Sequence, residues 1–457
     1  MRGLSLKKKF NRKSKIRVLY DAQLLEFYLC KNNCRRGIFF VVYNIFKELL
    51  KRPELKVEVY TGTDYNIHRR IKEAISQTDF KTVPKIFYGD VKDFDIFLSP
   101  HGAIPKGIKE TGIICYTIIY DLIPMVYPLY GENPEFFDII ENLTGGDYIF
   151  AISDFTKSDI IRLLPQVDPN KITKISLAAS TNFYPCIDGE QNQQIRIKYG
   201  IPIDKRYLFT VSAMEPRKNL IFTVKNFIKF IEKKHIDDLV FVIAGCVNDD
   251  FEEFFNAGMA NLGENSAKII RAGYVEDKDL ASLYSHAECC VFVSLYEGFG
   301  LPLLEAMQCG CPVITSNVTS MPEVIGDAGI LIDPTNDEAM VAAYEKIYYD
   351  EKLRQELSKK GLKWAKNFSW KACVDTMVEE FKKHDFTQPK SSYIISNPRP
   401  WKYFFKKFIF CISNEREKAK VVIFCLEIFK IKRKKGKKTF YIFGIPIFRK
   451  NYNHTSK

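Results

Sequence analysis

The sequence predicts an α/β protein made of two doubly wound domains, each built on a parallel sheet, followed by a basic and aromatic C-terminal extension. Its 457 residues exceed what one hydrophobic core organises and suit two domains of roughly 150–200 residues. Apolar runs of strand length alternate with helical patterns along most of the chain, which is typical of βαβ units. Hydrophobic residues make up 46% of the chain, which favours buried cores over disorder.

The first half begins with an apolar run at its start and alternates strands with helices up to residue 180. Ser153 stands where it caps a helix beginning near Phe155. Ligands of such sheets bind beyond the carboxyl ends of the strands, where His101, Tyr120 and Asp121 lie. The predicted strands cover residues 16–23, 56–62, 93–102, 111–121, 147–153 and 174–180.

The second half repeats this alternation after a polar segment at 184–202, which predicts an interdomain linker. Its predicted strands cover residues 206–212, 238–245, 267–275, 289–295, 311–317 and 328–334, and its predicted helices cover 219–234, 250–262, 278–286, 301–308, 337–366 and 369–384. The expected division is a basic arm over 1–14, a first domain over 15–185, a second domain over 203–385 and a tail over 386–457.

Positive charge is concentrated at the ends of the chain. Residues 401–457 hold 16 Lys and Arg against three Asp and Glu, a net of +13 that equals the charge of the whole chain. Residues 1–17 add eight basic side chains and no acidic ones, which leaves residues 18–400 at −8. A body of this charge is not expected to bind nucleic acid.

Cysteine usage and hydropathy predict a cytoplasmic protein. The twelve cysteines form no paired CxxC set, and several lie in apolar strands, which favours reduced thiols. The N-terminus lacks the apolar core of a signal peptide, and no run reaches about 18 apolar residues. In the tail, Lys and Arg alternate with aromatic residues, as in segments that contact the anionic inner leaflet; a solvated tail packed on the body is an equal alternative.

The stretch EGFGLPLLE at residues 297–305 organises the rest of the prediction. It follows an apolar strand and opens a helix with Pro302 in its first turn, where a missing N–H costs nothing. Gly298 and Gly300 allow a ligand to approach the backbone, and the N-terminus of the helix attracts an anion. The carboxylates of Glu297 and Glu305 are placed to hold two points of one extended ligand.

Two further segments suit phosphate groups. In SAMEPRKNL, at residues 212–220, a strand ends and a helix begins beside Arg217 and Lys218. The guanidinium of Arg217 is a planar fork of hydrogen-bond donors, and the ammonium of Lys218 is a point charge. Fixed cations there would stabilise the negative charge of a departing diphosphate. Gly37, preceded by two arginines at the mouth of the first helix, is a second phosphate-facing turn.

The motif E-G-F-G-L-P-x-x-E-A-M resembles the E-x7-E signature of retaining glycosyltransferase family 4, the group 1 glycosyltransferases of GT-B fold, in which two Rossmann-like domains face each other across a cleft. The resemblance covers about residues 15–380 and is strongest between 206 and 335. It implies that Glu297 contacts the donor sugar and Glu305 the nucleotide ribose. It also implies that Arg217 and Lys218 bind the diphosphate in place of a metal ion.

The resemblance assigns the other site residues by position. Tyr274 and Val275, in GYVEDKDL, match the strand end beside the nucleotide base, and Gly37 matches a glycine near the diphosphate. Asp121 matches the acceptor-side segment that many relatives write as H-D-L, although Tyr120 stands here in place of the histidine. The expected catalytic group is Glu297, Arg217, Lys218, Asp121 and His101, and the expected donor-binding group is Gly37, Arg217, Lys218, Tyr274, Val275, Glu297, Gly298, Phe299, Gly300, Leu301 and Glu305.

The resemblance implies an enzyme that transfers a hexose with retention of anomeric configuration. The donor is expected to be a GDP- or UDP-hexose, with GDP-mannose favoured because SPHG and YDLIP resemble mannosyltransferases of bacterial polysaccharide assembly. The acceptor is expected to be a saccharide or a lipid-linked saccharide in surface-glycan synthesis, and no cofactor other than this donor is expected. The closing TFYIFGIPIFRK resembles a tail motif of some bacterial surface-glycan enzymes.

Two alternatives remain open at this point. A GT-B nucleotide-sugar epimerase or phosphorylase shares the architecture, and a non-enzymatic nucleic-acid-binding or scaffold protein would use the basic ends.

Overall fold

The first lobe contains a parallel seven-stranded sheet in the order β3-β2-β1-β5-β6-β7-β8. The computed structural model describes residues 15–25, 37–62, 65–76, 84–131, 133–245, 249–260, 262–395 and four strands between 418 and 451. The first strands are β1 (Ile16–Asp21), β2 (Leu55–Tyr60), β3 (Lys85–Ile86), β4 (Gly89–Asp90), β5 (Ile96–Ser99), β6 (Ile114–Ile119), β7 (Tyr148–Ala151) and β8 (Ile172–Lys174).

Helices connect the strands of this lobe, and the first of them has one buried apolar face. They are α1 (Gly37–Leu49), α2 (Tyr65–Ser76), α3 (Lys106–Lys109), α4 (Ile123–Val126), α5 (Pro134–Glu141) and α6 (Asp154–Leu163). In α1 the buried residues Val41, Val42, Ile45, Phe46 and Leu49 recur at helical spacing. Ser153 caps α6 by accepting a hydrogen bond from the backbone N–H of Thr156, as predicted.

The second lobe contains a parallel six-stranded sheet in the order β11-β10-β9-β12-β13-β14. Its strands are β9 (Arg206–Val211), β10 (Leu239–Ala244), β11 (Ile269–Gly273), β12 (Cys289–Phe292), β13 (Val313–Ser316) and β14 (Ile330–Ile332). Strands β9 and β12 are neighbours although they are far apart in sequence, so the strand order reverses between them. Loops that leave such neighbouring strands at this switch point form a ligand-binding crevice.

The helices of the second lobe and the lobe connections complete the two doubly wound domains that the sequence predicts. They are α7 (Gly189–Lys198), α8 (Leu220–Lys234), α9 (Asp249–Ala260), α10 (Asp277–His286), α11 (Leu301–Gln308), α12 (Met321–Ile325), α13 (Asp337–Tyr349), α14 (Glu351–Trp364) and α15 (Trp370–Lys382). Helix α11 coincides with the predicted helix, and the predicted helix at 337–366 is divided at Asp350, which caps α14.

The structure differs from the prediction at the lobe boundaries. The predicted linker contains α7, which Asp188 caps and which contacts α10 through a hydrogen bond from Asn192 Nδ2 to Ser282 Oγ of 3.2 Å. The strand predicted at 174–180 was wrong in its bounds, because β8 covers Ile172–Lys174 and residues 175–180 are not in a strand. Helix α15, predicted within the second domain, packs on α1 of the first lobe, where Arg52 Nη1 lies 2.7 Å from Asp375 Oδ1.

The beginning of the predicted tail also packs on the first lobe. Strand β15 (Ile394–Ile395) pairs antiparallel with β4, and the N–H of Ser391 donates to the carbonyl of Thr111 at 2.8 Å. Further on, β16 (Lys418–Ile423), β17 (Leu426–Lys434), β18 (Lys437–Ile442) and β19 (Ile445–Asn451) form an antiparallel sheet in sequence order. Among the described residues, no helix is long and apolar enough to span a lipid bilayer.

Candidate active site

Two loops of the second lobe bring three charged side chains together. Arg217 and Lys218 lie in the 3-10 turn Pro216–Lys218 after β9, and Glu297 lies in the loop after β12. Glu297 Oε1 is 3.0 Å from Arg217 Nη1 and 2.7 Å from Lys218 Nζ. The loops are joined by a hydrogen bond of 2.9 Å from the N–H of Leu295 to the carbonyl of Arg217. One carboxylate oxygen is therefore held between two cations.

The turn that carries the two cations depends on Asn219. This residue adopts the left-handed conformation, with φ of 58°, between the 3-10 turn and the start of α8. Asn tolerates this conformation better than most residues with a side chain. Its side-chain amide also donates to the carbonyl of Pro334 at 2.9 Å, which fixes the turn against the end of the sheet.

Burial and mutual attraction set the charge states of this cluster. The side chains of Arg217, Lys218 and Glu297 are 10%, 14% and 12% exposed. Burial opposes ionisation of Glu297, but the attraction of Lys218 and Arg217 outweighs it and lowers the pKa of Glu297. Burial lowers the pKa of Lys218 despite the carboxylate beside it. For Arg217 the attraction of Glu297 and Glu215 exceeds the effect of burial, so the pKa of Arg217 is raised.

The remaining contacts of the cations are supplied by groups that the sequence did not single out. Arg217 Nη1 donates to the carbonyl of Tyr296 at 2.8 Å, and its Nη2 lies 3.3 Å from Glu215 Oε2. Lys218 Nζ lies 5.0 Å from the centroid of the Phe292 ring. The two positive charges thus face two carboxylates, and the cluster is close to neutral.

The first lobe meets this loop at Gly298. A Cβ atom added to Gly298 would lie 1.9 Å from the carbonyl oxygen of Tyr120 and 3.1 Å from Asp121 Cβ. Thr156 Oγ1 donates to the carbonyl of Gly298 at 3.2 Å across the same boundary. The absence of a side chain at Gly298 therefore lets the two lobes approach beside Glu297.

Asp121, at the end of β6, is brought to the cluster by this contact. Its carboxylate accepts a hydrogen bond of 3.0 Å from the N–H of Ile123. Burial raises the pKa of Asp121, and the positive charges of Arg217 and Lys218 offset part of this effect. The structure therefore places this predicted residue of the first lobe beside the charged cluster.

The N-termini of α1 and α11 also approach each other across the lobe boundary. A Cβ atom on Gly37 would lie 3.8 Å from Leu301 Cδ1. Gly300 precedes α11 with φ of 109°, a conformation that residues with a side chain rarely adopt. The positive ends of both helix dipoles lie in this region, which favours negative charge there.

Glu305 lies one turn inside α11, and its contacts are with residues outside the three-charge cluster. It accepts a hydrogen bond of 3.4 Å from the hydroxyl of Tyr284, and burial, with a smaller effect of Asp277, raises the pKa of Glu305 to about 7. Asp277 begins α10 directly after the segment that contains Tyr274 and Val275. The residues predicted beside the ribose and the base therefore share one neighbourhood.

Three predicted residues are placed less favourably. The Phe299 ring is buried, with its centroid 6.0 Å from that of Phe368, so only its backbone is available to a ligand. Val275 is likewise packed in the core, whereas Tyr274 is 51% exposed. The ring centroid of His101 lies 6.0 Å from that of Tyr120. Burial lowers the pKa of His101, which favours the neutral imidazole.

The loop of Glu297 is held by residues that carry no sequence signal. Ser320 Oγ donates to the carbonyls of Glu297 and Phe299 at 2.9 and 2.8 Å, and the N–H of Glu297 donates to Thr319 Oγ1 at 3.3 Å. Both residues follow β13, the strand next to β12, and only the sheet order brings them here. Within the described part of the chain, no group of three or more His, Cys, Asp or Glu side chains is arranged to hold a metal ion.

Comparison with known proteins identifies the family. The model of the family described as "Glycosyl transferases group 1" matches residues 191–364. O-antigen chain mannosyltransferase B of Escherichia coli is 30% identical over 298 residues, which cover 64% of this chain and 75% of that protein. The chain belongs to the group 1 glycosyltransferases. As a glycosyltransferase it takes a nucleotide-sugar donor and a saccharide acceptor, which favours transfer over the epimerase, phosphorylase and scaffold alternatives.

Other similarities agree with this glycosyltransferase assignment. Serotype-specific mannosyltransferase WbdA of Escherichia coli is 30% identical over 297 residues, which cover 62% of this chain and 36% of that longer protein. The structure of Anabaena HepE in complex with UDP and glucose superposes with a TM-score of 0.60 at 14% identity and covers 81% of this chain and all of that one. This likeness confirms the predicted GT-B fold.

Gly298→Ala tests the close approach of the lobes in this glycosyltransferase. The added methyl group collides with the carbonyl of Tyr120, so we expect the free energy of unfolding to fall by about 1–3 kcal/mol and sugar transfer to decrease with it. Thermal denaturation and activity measurements check this. Gly189→Ala is the matched control, because no atom lies within 4 Å of its added Cβ; equal effects of the two changes would contradict the assignment.

Glu305→Gln tests the burial of that carboxylate. Between pH 4.5 and about 7 the folded protein binds one proton more than the unfolded chain, so the free energy of unfolding falls as the pH rises through this window. The glutamine variant lacks this loss. We therefore expect the melting temperature of the glutamine variant, minus that of the parent protein, to be larger at pH 8 than at pH 5. Both melting temperatures are measured without nucleotide.

A difference in melting temperature that does not change with pH would contradict this assignment of Glu305. Glu338→Gln, at the exposed start of α13, is the control and should produce no widening gap.

Proposed function

We propose that this glycosyltransferase moves mannose from GDP-mannose, with retention, to a saccharide or lipid-linked saccharide in surface-glycan synthesis. The observation that carries the proposal is the carboxylate of Glu297 held between Arg217 and Lys218 at the boundary of the lobes. The two relatives named above are called mannosyltransferases, and one of them acts on an O-antigen chain by name. Their similarity supports the choice of sugar and of acceptor class.

The three-charge cluster suggests how the donor binds. A diphosphate is a stronger competitor for two cations than one carboxylate is, because it carries more negative charge and more acceptor oxygens. On binding, the diphosphate takes Arg217 and Lys218, and Glu297 is released to accept hydrogen bonds from hydroxyls of the sugar. After this exchange the two cations have an anionic partner, and hydrogen bonds from the sugar satisfy the carboxylate oxygens of Glu297.

The transfer step needs no strong protein base. The bond between the anomeric carbon and the diphosphate oxygen breaks as the bond to the acceptor oxygen forms on the same face of the sugar. The acceptor proton passes to the departing diphosphate oxygen, and Arg217 and Lys218 stabilise the negative charge that develops there. Asp121, which faces the cluster from the first lobe, is the proposed contact for an acceptor or sugar hydroxyl, and His101 is a proposed hydrogen-bonding group of the same lobe.

The donor's nucleotide is proposed to extend from the cluster along α11. The diphosphate is proposed to contact the backbone where the N-termini of α1 and α11 approach each other, because the helix dipoles favour anions there. The backbone groups are those of Gly37, Gly298, Gly300 and Leu301. Glu305 is the proposed partner of the ribose hydroxyls, with Tyr274 beside the base. The donor serves as a co-substrate, and the proposal requires no cofactor and no metal ion.

Lys218→Met and Glu297→Gln test the assignment of the donor site. Lys218→Met removes a cation from the diphosphate, so we expect the rate of transfer to fall by about 100-fold or more. Glu297→Gln keeps the shape but loses the carboxylate, and we expect a similar fall in kcat. The measurement is GDP-mannose turnover with a lipid-linked saccharide extract as acceptor, after thermal-shift screening of GDP-, UDP- and ADP-sugars on the parent protein.

Lys229→Met is the control, because Lys229 lies on α8 in an exposed pair with Asp337. Turnover of either site variant at the control's rate would refute the site. A product of inverted anomeric configuration, determined by NMR, would refute retention alone.

We also propose that the tail contacts an anionic membrane surface on the cytoplasmic side. The strand register places basic residues directly opposite one another in the pairs Lys418 with Lys432, Lys420 with Lys430, Arg433 with Lys438, Lys434 with Lys437, and Lys438 with Lys450. Like charges in such positions destabilise a sheet unless an anionic partner compensates them. The net charge of −8 over residues 18–400 argues against a nucleic acid as that partner.

Replacing the central basic residues of the tail with glutamine in the full-length chain tests this contact. Each Lys or Arg near an anionic leaflet contributes about 1 kcal/mol, so we expect binding to phosphatidylglycerol vesicles to weaken by at least about tenfold, with little change toward neutral vesicles. The change comprises Lys432, Arg433, Lys434, Lys437 and Lys438, and the control replaces the exposed Lys352, Lys359, Lys363, Lys366 and Lys371. Equal partitioning of both variants would contradict the proposal.

A further inference from the structure

Tyr130 extends from the first lobe to the donor loops of the second. It follows β6 through α4 and ends a short 3-10 turn at residues 128–130. Its ring centroid lies 5.8 Å from that of Phe251 in α9. In the same segment, the ring centroid of Tyr127 lies 5.9 Å from that of Tyr296. The segment at 123–130 therefore crosses the lobe boundary on the side of the turn that carries Arg217.

At this crossing the hydroxyl of Tyr130 lies beside Arg217, whose N–H groups act on the phenol oxygen, and no acceptor among the described residues receives the proton of the hydroxyl. In the described part of the chain, neither the hydroxyl of Tyr130 nor Arg217 Nε has a hydrogen-bond partner, although both atoms are buried. Burial and the charge of Glu215 raise the pKa of Tyr130, and the adjacent Arg217 opposes this rise. Buried polar atoms are paired in more than nine-tenths of cases, so a hydroxyl proton without an acceptor beside a guanidinium indicates a place for an acceptor atom.

The chemistry of the two donors defines the acceptor. Arg217 also contacts Glu297, the carboxylate that the donor diphosphate would displace, so the place beside its Nε lies next to the same ligand. A hydroxyl and a guanidinium N–H together suit an anionic oxygen, since hydrogen bonds to charged groups are stronger than those between neutral ones. A neutral sugar hydroxyl would form a weaker hydrogen bond at this place than an anionic oxygen does.

We propose that Tyr130 is a first-lobe ligand of the donor diphosphate, its hydroxyl donating to a phosphate oxygen that Arg217 also binds. This inference rests on the proposed function of the same site. The contact makes the diphosphate a bridge between the lobes, since Arg217 and Lys218 hold it from one side and Tyr130 from the other. It also adds a hydrogen bond to the group on which negative charge develops during transfer.

Tyr130→Phe removes the hydroxyl and keeps the ring against Phe251. In calorimetric titrations of the full-length protein, we expect the Kd for GDP to rise about tenfold and the Kd for GMP to change less than about twofold. The contrast arises because GMP lacks the second phosphate. The kcat for transfer should fall, and the melting temperature of the free protein should stay close to that of the parent, since the hydroxyl has no partner there.

Tyr127→Phe is the matched control, because it removes a hydroxyl from the same segment and retains the ring contact with Tyr296. An unchanged Kd for GDP in Tyr130→Phe, while Lys218→Met weakens GDP binding, would overturn this inference and leave the proposed function standing. Equal losses in the Tyr127 and Tyr130 variants would overturn it as well, by indicating a change in the whole segment. A parent protein that binds neither GDP nor UDP would instead overturn the proposed function.

Discussion

The carboxylate of Glu297 between Arg217 and Lys218 is the interaction on which the rest of the site depends. Buried ions are costly unless each has a partner, and removing one partner leaves another charge uncompensated. Here the partners come from loops that leave β9 and β12, two strands that are adjacent only because the strand order reverses between them. The doubly wound topology thus produces the site, and the ion cluster holds the loops in a geometry ready to exchange one anion for another.

The second constraint is the close contact between the lobes beside this cluster. Gly298 lies against the carbonyl of Tyr120, and the carboxylate of Glu323 in α12 accepts hydrogen bonds from the N–H groups of Asp154 and Phe155 at the start of α6. Helix α15 crosses back to α1, so the chain connects the lobes at a second place. A donor bound at the cluster, as proposed, would therefore lie beside surfaces of both lobes that already meet in this structure.

Most of the sheet architecture and the central motif were predictable because both depend on patterns of residues that are close together in the sequence. Apolar runs of strand length predicted the cores of both sheets, and the spacing of Glu297 and Glu305 with the glycines between them predicted the strand–turn–helix that the structure has there. Helix α7 was missed because it is polar along most of its length, with few buried residues beyond Asn192 and Ile195. Three features were not predictable, since each depends on contacts between residues far apart in sequence. They are the packing of α15 on the first lobe, the burial of the Phe299 ring and the contact of Tyr130 with the second lobe.

Charge balance explains why helix starts and ionic side chains occur together at this site. Without a donor, Arg217 and Lys218 are compensated by Glu297 and Glu215, so an incoming diphosphate adds negative charge to a nearly neutral cluster. The N-termini of α1 and α11 supply partial positive charges of their own. Because these dipoles are fixed by the backbone, they favour the extra charge without reorganisation. In the proposed complex, the side chains orient the donor and the backbone offsets the charge that the donor brings.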